Sequence, residues 1–276
     1  MPHITRTLLA TRVRGLLLAL ALLSLGATPA LAAGAPANDT LASAKLVTLG
    51  FSESLDTTQA TADADDAQLN ADCGAPATDA TVWYAIDGTG GGIKVDVSAS
   101  NYSAGVIVAV GTPGSLTTLT CAPLSVAFRA EAGTRYYVLI FDDQGDGSGN
   151  GGALSIQFQQ ALVPDLDFSV NQYGSFDSRS GAATVRGSYT CSAGANFVIF
   201  VDGVQKVGRG AVTGFEVFEG VCDNTLHPWS VVLIPDFGKF AGGQLQVNAF
   251  GIAFGDDLNT EQEITQTVKL RAPKRK

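Results

Sequence analysis

Apolar and polar residues alternate in short runs along most of the chain, and glycine, proline, aspartate and serine separate the runs. Such alternation is typical of strands that bury one face. In the first half it predicts strands at 81–87, 92–98, 105–111, 125–131, 134–141 and 152–159. The alanine-rich segment 56–72 has too few large apolar residues to dock as a helix, and we expect a loop there. The pattern therefore predicts an all-β protein.

The alternation stops once in the middle of the chain, where Pro164 interrupts it before a new alternating run begins at 166–170. Because proline cannot continue a central ladder, we expect a short linker at about 160–165. The prediction is two consecutive antiparallel β-sandwich domains after a cleaved signal peptide. They would span residues 37–160 and 165–271, and a basic tail, residues 272–276, would follow.

The first 32 residues have the pattern of a secretory signal peptide. Arg6, Arg12 and Arg14 precede the apolar stretch 16–25, and the small-x-small triplet 30–32 predicts the cleavage site. Ten apolar residues are too few for a membrane span, which needs about 20. No later stretch approaches that length, so we expect a secreted protein without a transmembrane segment.

Charge and composition narrow the function classes. The chain has 17 basic and 26 acidic residues, and loss of the signal peptide would take its net charge from −9 to −12. An acidic protein is a poor partner for nucleic acid, because phosphate binding needs a clustered basic surface. Two histidines and one methionine leave little material for histidine-based catalysis or for soft-metal ligation.

The four cysteines, Cys73, Cys121, Cys191 and Cys222, match no CxxC metal or redox spacing. In an oxidising compartment they are expected to form two disulfides. Three pairings are conceivable, and the predicted linker favours Cys73–Cys121 together with Cys191–Cys222. Each Cα pair should then lie about 4.4–6.8 Å apart.

The first half resembles the bacterial pre-peptidase C-terminal domain, a β-sandwich appended to secreted proteases and other exported proteins. The resemblance covers about residues 37–159, and it rests on motifs that occur in the expected order. They are Asn38-Asp39-Thr40, Val82-Trp83-Tyr84, the strand 93–97, the run 132–138 with Gly133-Thr134 and Tyr136-Tyr137, and the closing strand 152–156. It implies a non-catalytic accessory module, since similar modules in collagenases bind substrate and calcium.

The second half resembles an immunoglobulin-like family of uncharacterised secreted bacterial proteins. The similarity rests on the segment 183–191 that ends at Cys191, then Cys222, Pro228-Trp229, the segment 238–242 and the closing 268–270. A tryptophan near two paired cysteines can form a sandwich core around a disulfide. Strand alternation places Trp229, Val231 and Leu233 on one inward face. This resemblance implies a fold and no activity.

One acidic loop is a candidate cation site. Asp142, Asp143, Asp146 and Asn150 lie in a glycine-rich segment, and calcium prefers six to eight hard oxygen ligands on a flexible loop. The loop lacks the ligand spacing of an EF-hand, and a solvated hairpin is the alternative. No cofactor is expected to be required, and calcium is the one ligand that these residues suggest.

The chemistry for an enzyme is sparse. His227 is the only histidine after the signal peptide, no GxSxG motif accompanies it, and we expect it to be a turn residue. Neighbouring carboxylates such as Asp65/Asp66, Asp142/Asp143 and Asp256/Asp257 would need a cleft to hydrolyse a glycoside. The sequence favours a non-catalytic accessory or adhesion protein that binds an extracellular polymer or a cell-surface partner. A small secreted hydrolase and a purely structural surface protein remain the alternatives.

Overall fold

The computed structural model describes residues 34–76 and 80–272. The predicted signal peptide, residues 1–32, and the last four residues of the predicted basic tail lie outside the described residues. The described chain is all-β, as predicted, apart from one α-helix and one turn of 3₁₀ helix. From residue 35 to the end of the described chain the protein is one compact unit by its contacts.

The first half contains nine strands. In chain order, its elements are the 3₁₀ helix Leu41–Ser43, β1 (Lys45–Val47), β2 (Ser52–Asp56), α1 (Ala64–Cys73), β3 (Val82–Asp87), β4 (Gly92–Asp96), β5 (Ala104–Thr112), β6 (Ser115–Pro123), β7 (Ser125–Arg129), β8 (Arg135–Asp142) and β9 (Ala153–Ala161). Each of the six predicted strands overlaps one of these, and β1, β2 and β6 were not predicted.

These strands form two sheets, in the orders β1-β3-β8-β5-β6 and β2-β9-β4-β7. Apolar residues of both sheets meet in one core, which includes Tyr84, Ile140 and Phe158. The strand pairs are antiparallel except β1–β3, which is parallel. Because β3, β5 and β8 are buried on both faces, a smaller second cluster with Trp83 and Leu139 lies on the other side of the first sheet.

Helix α1 covers that second cluster, and here the expectation of a loop at 56–72 is wrong. Asp63 caps the helix by accepting hydrogen bonds from the backbone N–H groups of Asp65 and Asp66, and Gly74 ends it in a left-handed conformation. Only Leu69 supplies a large buried apolar side chain. The helix is also held by a buried polar contact, which apolar periodicity does not reveal.

That contact is the carboxylate of Asp66, which is fully buried beneath the helix. Its Oδ1 accepts a hydrogen bond of 2.6 Å from the indole Nε1 of Trp83, and its Oδ2 accepts one of 2.6 Å from the hydroxyl of Thr81. Burial raises the pKa of Asp66, and the hydrogen bonds oppose that rise. The contact fixes the first turn of α1 to strand β3.

The second half contains eight strands. They are β10 (Leu166–Val170), β11 (Tyr173–Phe176), β12 (Ala183–Cys191), β13 (Asn196–Val207), β14 (Gly210–Val221), β15 (His227–Leu233), β16 (Gly243–Phe254) and β17 (Asn259–Arg271). They hydrogen-bond in the order β10-β12-β11-β17-β16-β13-β14, and β15 also pairs with β12. The pairs are antiparallel except β11–β17. A separate core that includes Phe168, Phe197 and Trp229 fills the interior of this half.

Both predicted disulfides are present. The Cα atoms are 6.4 Å apart in Cys73–Cys121 and 5.3 Å apart in Cys191–Cys222, within the range expected for bridged cysteines. The first joins the end of α1 to β6, and the second joins the end of β12 to the residue after β14. Each bridge therefore stays within one half of the chain.

The two halves meet through polar contacts around the predicted linker, where residues 162–165 lie between β9 and β10 without strand structure. The Lys94 ammonium lies 2.9 Å from Oδ1 of Asp257, and Oδ2 of Asp257 accepts a hydrogen bond from the Leu162 backbone. Arg129 donates hydrogen bonds to the Asn259 carbonyl and to the Thr260 hydroxyl, at 2.7 and 2.8 Å. That each half folds as an independent domain stays a prediction.

Candidate functional site

The predicted calcium ligands lie in the loop between β8 and β9, and each carboxylate is engaged with its own backbone. Asp142 is fully buried, and its two oxygens accept hydrogen bonds of 2.9 Å from the N–H groups of Gln144 and Gly151. One oxygen of Asp143 accepts from the Gly145 N–H, and one oxygen of Asp146 accepts from the Ser148 N–H and hydroxyl. The second carboxylate oxygen of Asp143 and that of Asp146 take no part in these hydrogen bonds.

The side chains of the loop are not gathered around a common point. Within residues 34–76 and 80–272, no three His, Cys, Asp or Glu side chains come together as a cation site would require. Asn150 is exposed near the end of the loop, next to Gly151. A calcium site formed by Asp142, Asp143, Asp146 and Asn150 stays a prediction, and it would require the two turns at Asp143 and Asp146 to close on each other.

The structure assigns Asp142 a clear role in the fold of this loop. Because its carboxylate joins the start of the loop at Gln144 to the end at Gly151, it closes the segment on itself. Beneath it, Tyr102 is buried, and burial raises its pKa to about 12. The Tyr102 hydroxyl has no hydrogen-bond partner among the described residues. The chemistry here is that of a structural clamp.

His227 lies at the start of β15 and is 40% exposed in its side chain. Its Nε2 atom lies 2.9 Å from the carboxylate of Asp223 and 2.7 Å from the hydroxyl of Thr225. Hydrogen bonds from Thr225 and then from His227 lower the pKa of Asp223 to about 2. Both partners contact the same ring nitrogen, so the group lacks the geometry of a relay, in which the acid and the nucleophile contact opposite nitrogens.

A cluster of partly exposed apolar side chains lies on the outward side of the sheet formed by β14, β13, β16 and β17. We call it the outer phenylalanine face and define it by the outward residues Val198, Phe200, Phe215, Val217, Phe250 and Ile252. None of these six residues is fully buried, and Phe215 is 51% exposed. A sheet with one solvated face normally carries polar residues there. The apolar cluster is therefore an exception that the fold does not require.

Strand register brings these residues together. Phe200 on β13 lies opposite Val217 on β14 and opposite Phe250 on β16, and Val198 lies opposite Ile252. The ring of Phe200 is 6.3 Å from that of Phe215 and 6.4 Å from that of Phe250, with interplanar angles of 18° and 19°. Three nearly parallel phenyl rings thus form a row across three strands.

Carboxylates lie around the outer phenylalanine face. Glu219 on β14 lies opposite Val198, Glu261 on β17 lies opposite Ile252, and Glu263 lies opposite Phe250. Asp202 lies on β13 opposite Phe215. All four acids are exposed, and no ion pair among the described residues involves any of them. The outer phenylalanine face is therefore an apolar surface with an acidic border.

The outward positions toward the other end of the same sheet are different. They carry Gln244, Gln246, Thr267, Lys206 and Lys269 and one exposed apolar residue, Val204, and they have no phenylalanine. At about 3.3 Å per residue, Glu263 and Lys269 lie about 20 Å apart along β17. The sheet is therefore apolar and acidic at one end and polar and basic at the other.

One loop adds a further aromatic ring near the outer phenylalanine face. After β15, Asp236 accepts a hydrogen bond of 2.7 Å from the hydroxyl of Thr213, which lies two residues from Phe215 on the outward side of β14. The next residue, Phe237, is 87% exposed. This ring lies at the border of the sheet and contributes to no core.

Shallow grooves lie on either side of the linker. One has a volume of about 350 Å³ and is lined by residues that include Pro164, Ser192, Phe254 and Asp256. Another has a volume of about 460 Å³, and Arg129, which lines it, is already bonded to Asn259 and Thr260. Neither groove gathers a nucleophile, a base and an acid at reacting distances.

Comparison with known proteins gives no family. No family model matches the chain, and no curated protein matches it in sequence. The resemblances to the pre-peptidase C-terminal domain and to the immunoglobulin-like secreted family therefore stay expectations. In the described residues, no helix has the length and apolarity that crossing a membrane would need.

Several solved structures of glycoside hydrolases match part of the chain. The β-glucuronidase of Parabacteroides merdae is 12% identical with a TM-score of 0.28, and the match covers 69% of this chain and 28% of the enzyme. A GH2 β-galacturonidase from Eisenbergiella tayi is 13% identical with a TM-score of 0.21, and the match covers 69% of this chain and 35% of the enzyme. The matches thus span about a third or less of these enzymes, and likenesses this weak support no functional argument.

Sequence reasoning did not identify the outer phenylalanine face. Its one signal is the run Phe197-Val198-Ile199-Phe200-Val201, which is apolar at consecutive positions and not at alternate ones. Such a run is typical of a strand buried on both faces. Only the register shows that one of the two faces is solvated.

Proposed function

We propose that this protein is an exported, non-catalytic binding module that holds an extracellular polymer or a cell-surface partner on its outer phenylalanine face. The observation that carries the proposal is the row of Phe200, Phe215 and Phe250 on a solvated sheet face. Large exposed apolar patches with a polar border mark interaction sites in soluble proteins. Aromatic rings also supply much of the energy of such contacts at low cost in conformational entropy.

Two further observations support this proposal. Both disulfides fit an oxidising compartment, as does the predicted signal peptide. Several residues that could have served catalysis have other contacts: Asp142 closes a loop, Asp66 fixes a helix, and His227 forms an exposed pair with Asp223. Calcium assistance through the loop that carries Asp142, Asp143, Asp146 and Asn150 is a separable part of the proposal.

A binding screen with matched variants tests the proposal. The protein and the variant F200T/F215T/F250T are offered to immobilised polysaccharides, to protein polymers and to bacterial surfaces, with and without calcium. Threonine keeps the strand preference while it removes the rings. The control variant V232T/I234T removes two exposed apolar side chains, on β15 and at the residue after it, that do not belong to the outer phenylalanine face.

We expect the phenylalanine variant to lose binding by at least about tenfold while the control retains it, since a few aromatic residues carry most of the energy at an interface. Circular dichroism and thermal unfolding verify that both variants fold. If the folded phenylalanine variant binds every ligand as the parent does, the proposal is wrong.

A further inference from the structure

The border of the outer phenylalanine face suggests the chemistry of the partner. Across the sheet, the order of outward residues in one row is Glu219, Val198, Ile252, Glu261, and in the next row it is Val217, Phe200, Phe250, Glu263. Neighbouring strands are about 4.8 Å apart, so Glu219 and Glu261 stand about 14 Å apart with only apolar side chains between them. That width accommodates one extended chain laid along the strands.

From this arrangement we infer that the occupant of the outer phenylalanine face is a cationic polypeptide segment, rich in arginine or lysine. The inference rests on the proposed function and specifies its partner. A segment extended over Val198 and Ile252 has a carboxylate on either side, and its basic side chains reach Glu219, Glu261 and Glu263. The faces of Phe200 and Phe250 meet the same cations favourably, since guanidinium and ammonium groups are attracted to aromatic faces.

The charges already present on the protein leave this face open to a cation. The lysines and arginine on the outward side of the sheet, Lys206, Lys269 and Arg271, are at its other end, and Arg271 lies over the ring of Tyr173 at 4.1 Å. The acids at the apolar end therefore have no basic neighbour on the sheet. The negative electrostatic potential of these acids therefore favours the approach of a cationic segment.

A second copy of this chain does not fit as the occupant. If two outer phenylalanine faces meet apolar end to apolar end, Glu219, Glu261 and Glu263 of one copy face the same acids of the other, and like charges in such positions repel. If the second copy is turned so that acidic and basic ends meet, the phenyl rings are covered by Gln244, Gln246 and Lys269. Neither arrangement pairs both the apolar and the charged residues.

A peptide-binding experiment tests the inference. The probe is a fluorescent peptide of about 12 residues in which arginine alternates with leucine, long enough to cross the face. A peptide with glutamate in place of arginine and a neutral soluble glucan are measured beside it. The protein is compared with E219Q/E261Q/E263Q and with D72N/E131Q/D167N, a control that removes three exposed carboxylates elsewhere.

We expect the arginine peptide to bind, the glutamate peptide not to bind, and the affinity to fall as salt rises from about 20 to about 300 mM, because the border charges are exposed and screened. The E219Q/E261Q/E263Q variant should bind at least about tenfold more weakly at low salt, and the control should stay within about twofold. F200T/F215T/F250T should also lose binding.

Other outcomes would exclude the cationic partner alone or the proposed function as well. If the arginine peptide fails to bind at low salt, or if the glutamine variant binds it as the parent does, the cationic partner is excluded. If the glucan binds, loses affinity in the phenylalanine variant and ignores both salt and the glutamine substitutions, the face binds a neutral polysaccharide. In that case the proposed function stands and this inference fails. If no ligand is affected by the phenylalanine substitutions, the proposed function fails as well.

Discussion

The inner and outer aromatic residues of the second half lie on neighbouring positions of the same strands but have different surroundings. Inside, Phe197 packs 4.5 Å from the ring of Tyr189 and 5.6 Å from that of Phe218, and it is 2% exposed. Outside, Phe200 meets only the rings of Phe215 and Phe250, at 6.3 and 6.4 Å. The inner rings are buried, whereas Phe200 and Phe250 are partly exposed and Phe215 is 51% exposed.

This difference separates what holds the fold together from what is available for binding. Burial of apolar area stabilises by about 25 cal/mol per Å², so a side chain that stays half in water gains only about half of what a buried one gains. Stability therefore explains the inner aromatic residues better than the outer ones. Substitutions on the two sides of the sheet measure the two contributions separately.

Truncation of Trp229 should have one of the largest effects. Its indole is 2% exposed, stacks on Phe218 at 6.3 Å and donates a hydrogen bond of 3.0 Å to the Ser169 carbonyl. The residue directly opposite on β12 is Gly187. A Cβ atom at that position would overlap the indole, so the close packing of Trp229 needs glycine there. Trp229→Ala should lower the free energy of unfolding by about 3–5 kcal/mol, of a total of about 5–15.

Urea denaturation followed by far-UV circular dichroism measures this loss. Trp229→Phe keeps a ring and removes the hydrogen bond, so its effect should be smaller. Unchanged stability of Trp229→Ala would show that this side of β15 does not belong to the core.

Removal of the disulfide Cys191–Cys222 should come next. Both cysteines are buried in the core of the second half, and the bridge spans 31 residues of sequence. In the chain-entropy model a loop of that length is worth about 3–4 kcal/mol. The double variant C191A/C222A should therefore unfold at a clearly lower urea concentration, measured beside the parent under non-reducing conditions.

Non-reducing peptide mapping is the control for this prediction. It should recover Cys73–Cys121 and Cys191–Cys222 in the parent protein. A link between the two halves would contradict both the pairing and the position of the linker. A variant as stable as the parent would show that the inner core holds β12 and β14 together without the bridge.

The inner side of this molecule could be predicted from its sequence to a large extent. Strand alternation located the inward positions Trp229, Val231 and Leu233, which are buried as expected. The break at Pro164 also selected the two disulfide pairs that the structure contains. These features follow from the pattern of apolar residues, which is local and visible along the chain.

The features that were missed depend on contacts between distant segments. Helix α1 buries Leu69 alone among its large apolar residues and is held by Asp66, whose partners Thr81 and Trp83 lie on β3. Strand β6 is fully buried at only one of its nine positions, so it shows little of the alternation expected of a half-buried strand. The outer phenylalanine face arises only when β14, β13 and β16 are in register.

A matched pair of phenylalanine substitutions measures the contrast directly. Phe197→Ala removes an inner ring, and Phe215→Ala removes an outer ring from the adjacent strand. The first should cost about 3–5 kcal/mol, as large-to-small changes of buried aromatic residues do. The second should cost less than about 1 kcal/mol, the range of a cross-strand pair on a solvated face. Equal losses in urea denaturation would mean that the outer phenylalanine face belongs to the fold.

The smallest effect is expected at His227, which belongs to neither aromatic set although its ring stacks on Tyr189 at 5.5 Å. Its partner Asp223 is exposed, and exposed ion pairs contribute little to stability. At pH 7, His227→Ala should change the free energy of unfolding by less than about 0.5 kcal/mol.

The pH dependence of this pair has a defined sign. The pKa of Asp223 is lowered to about 2 from an ordinary value of about 3.9. The hydrogen bond from Thr225 is the larger cause, and the one from His227 is the next. A carboxyl group with a depressed pKa stabilises the folded state above its unfolded pKa, and this contribution disappears as the pH falls from about 4 to about 2. The difference in stability between the parent and Asp223→Asn should therefore be present at pH 6 and absent near pH 2. A difference in stability that persists at pH 2 would contradict the hydrogen-bonded carboxylate of Asp223. For His227→Ala, loss of an activity in the folded variant would contradict the non-catalytic function.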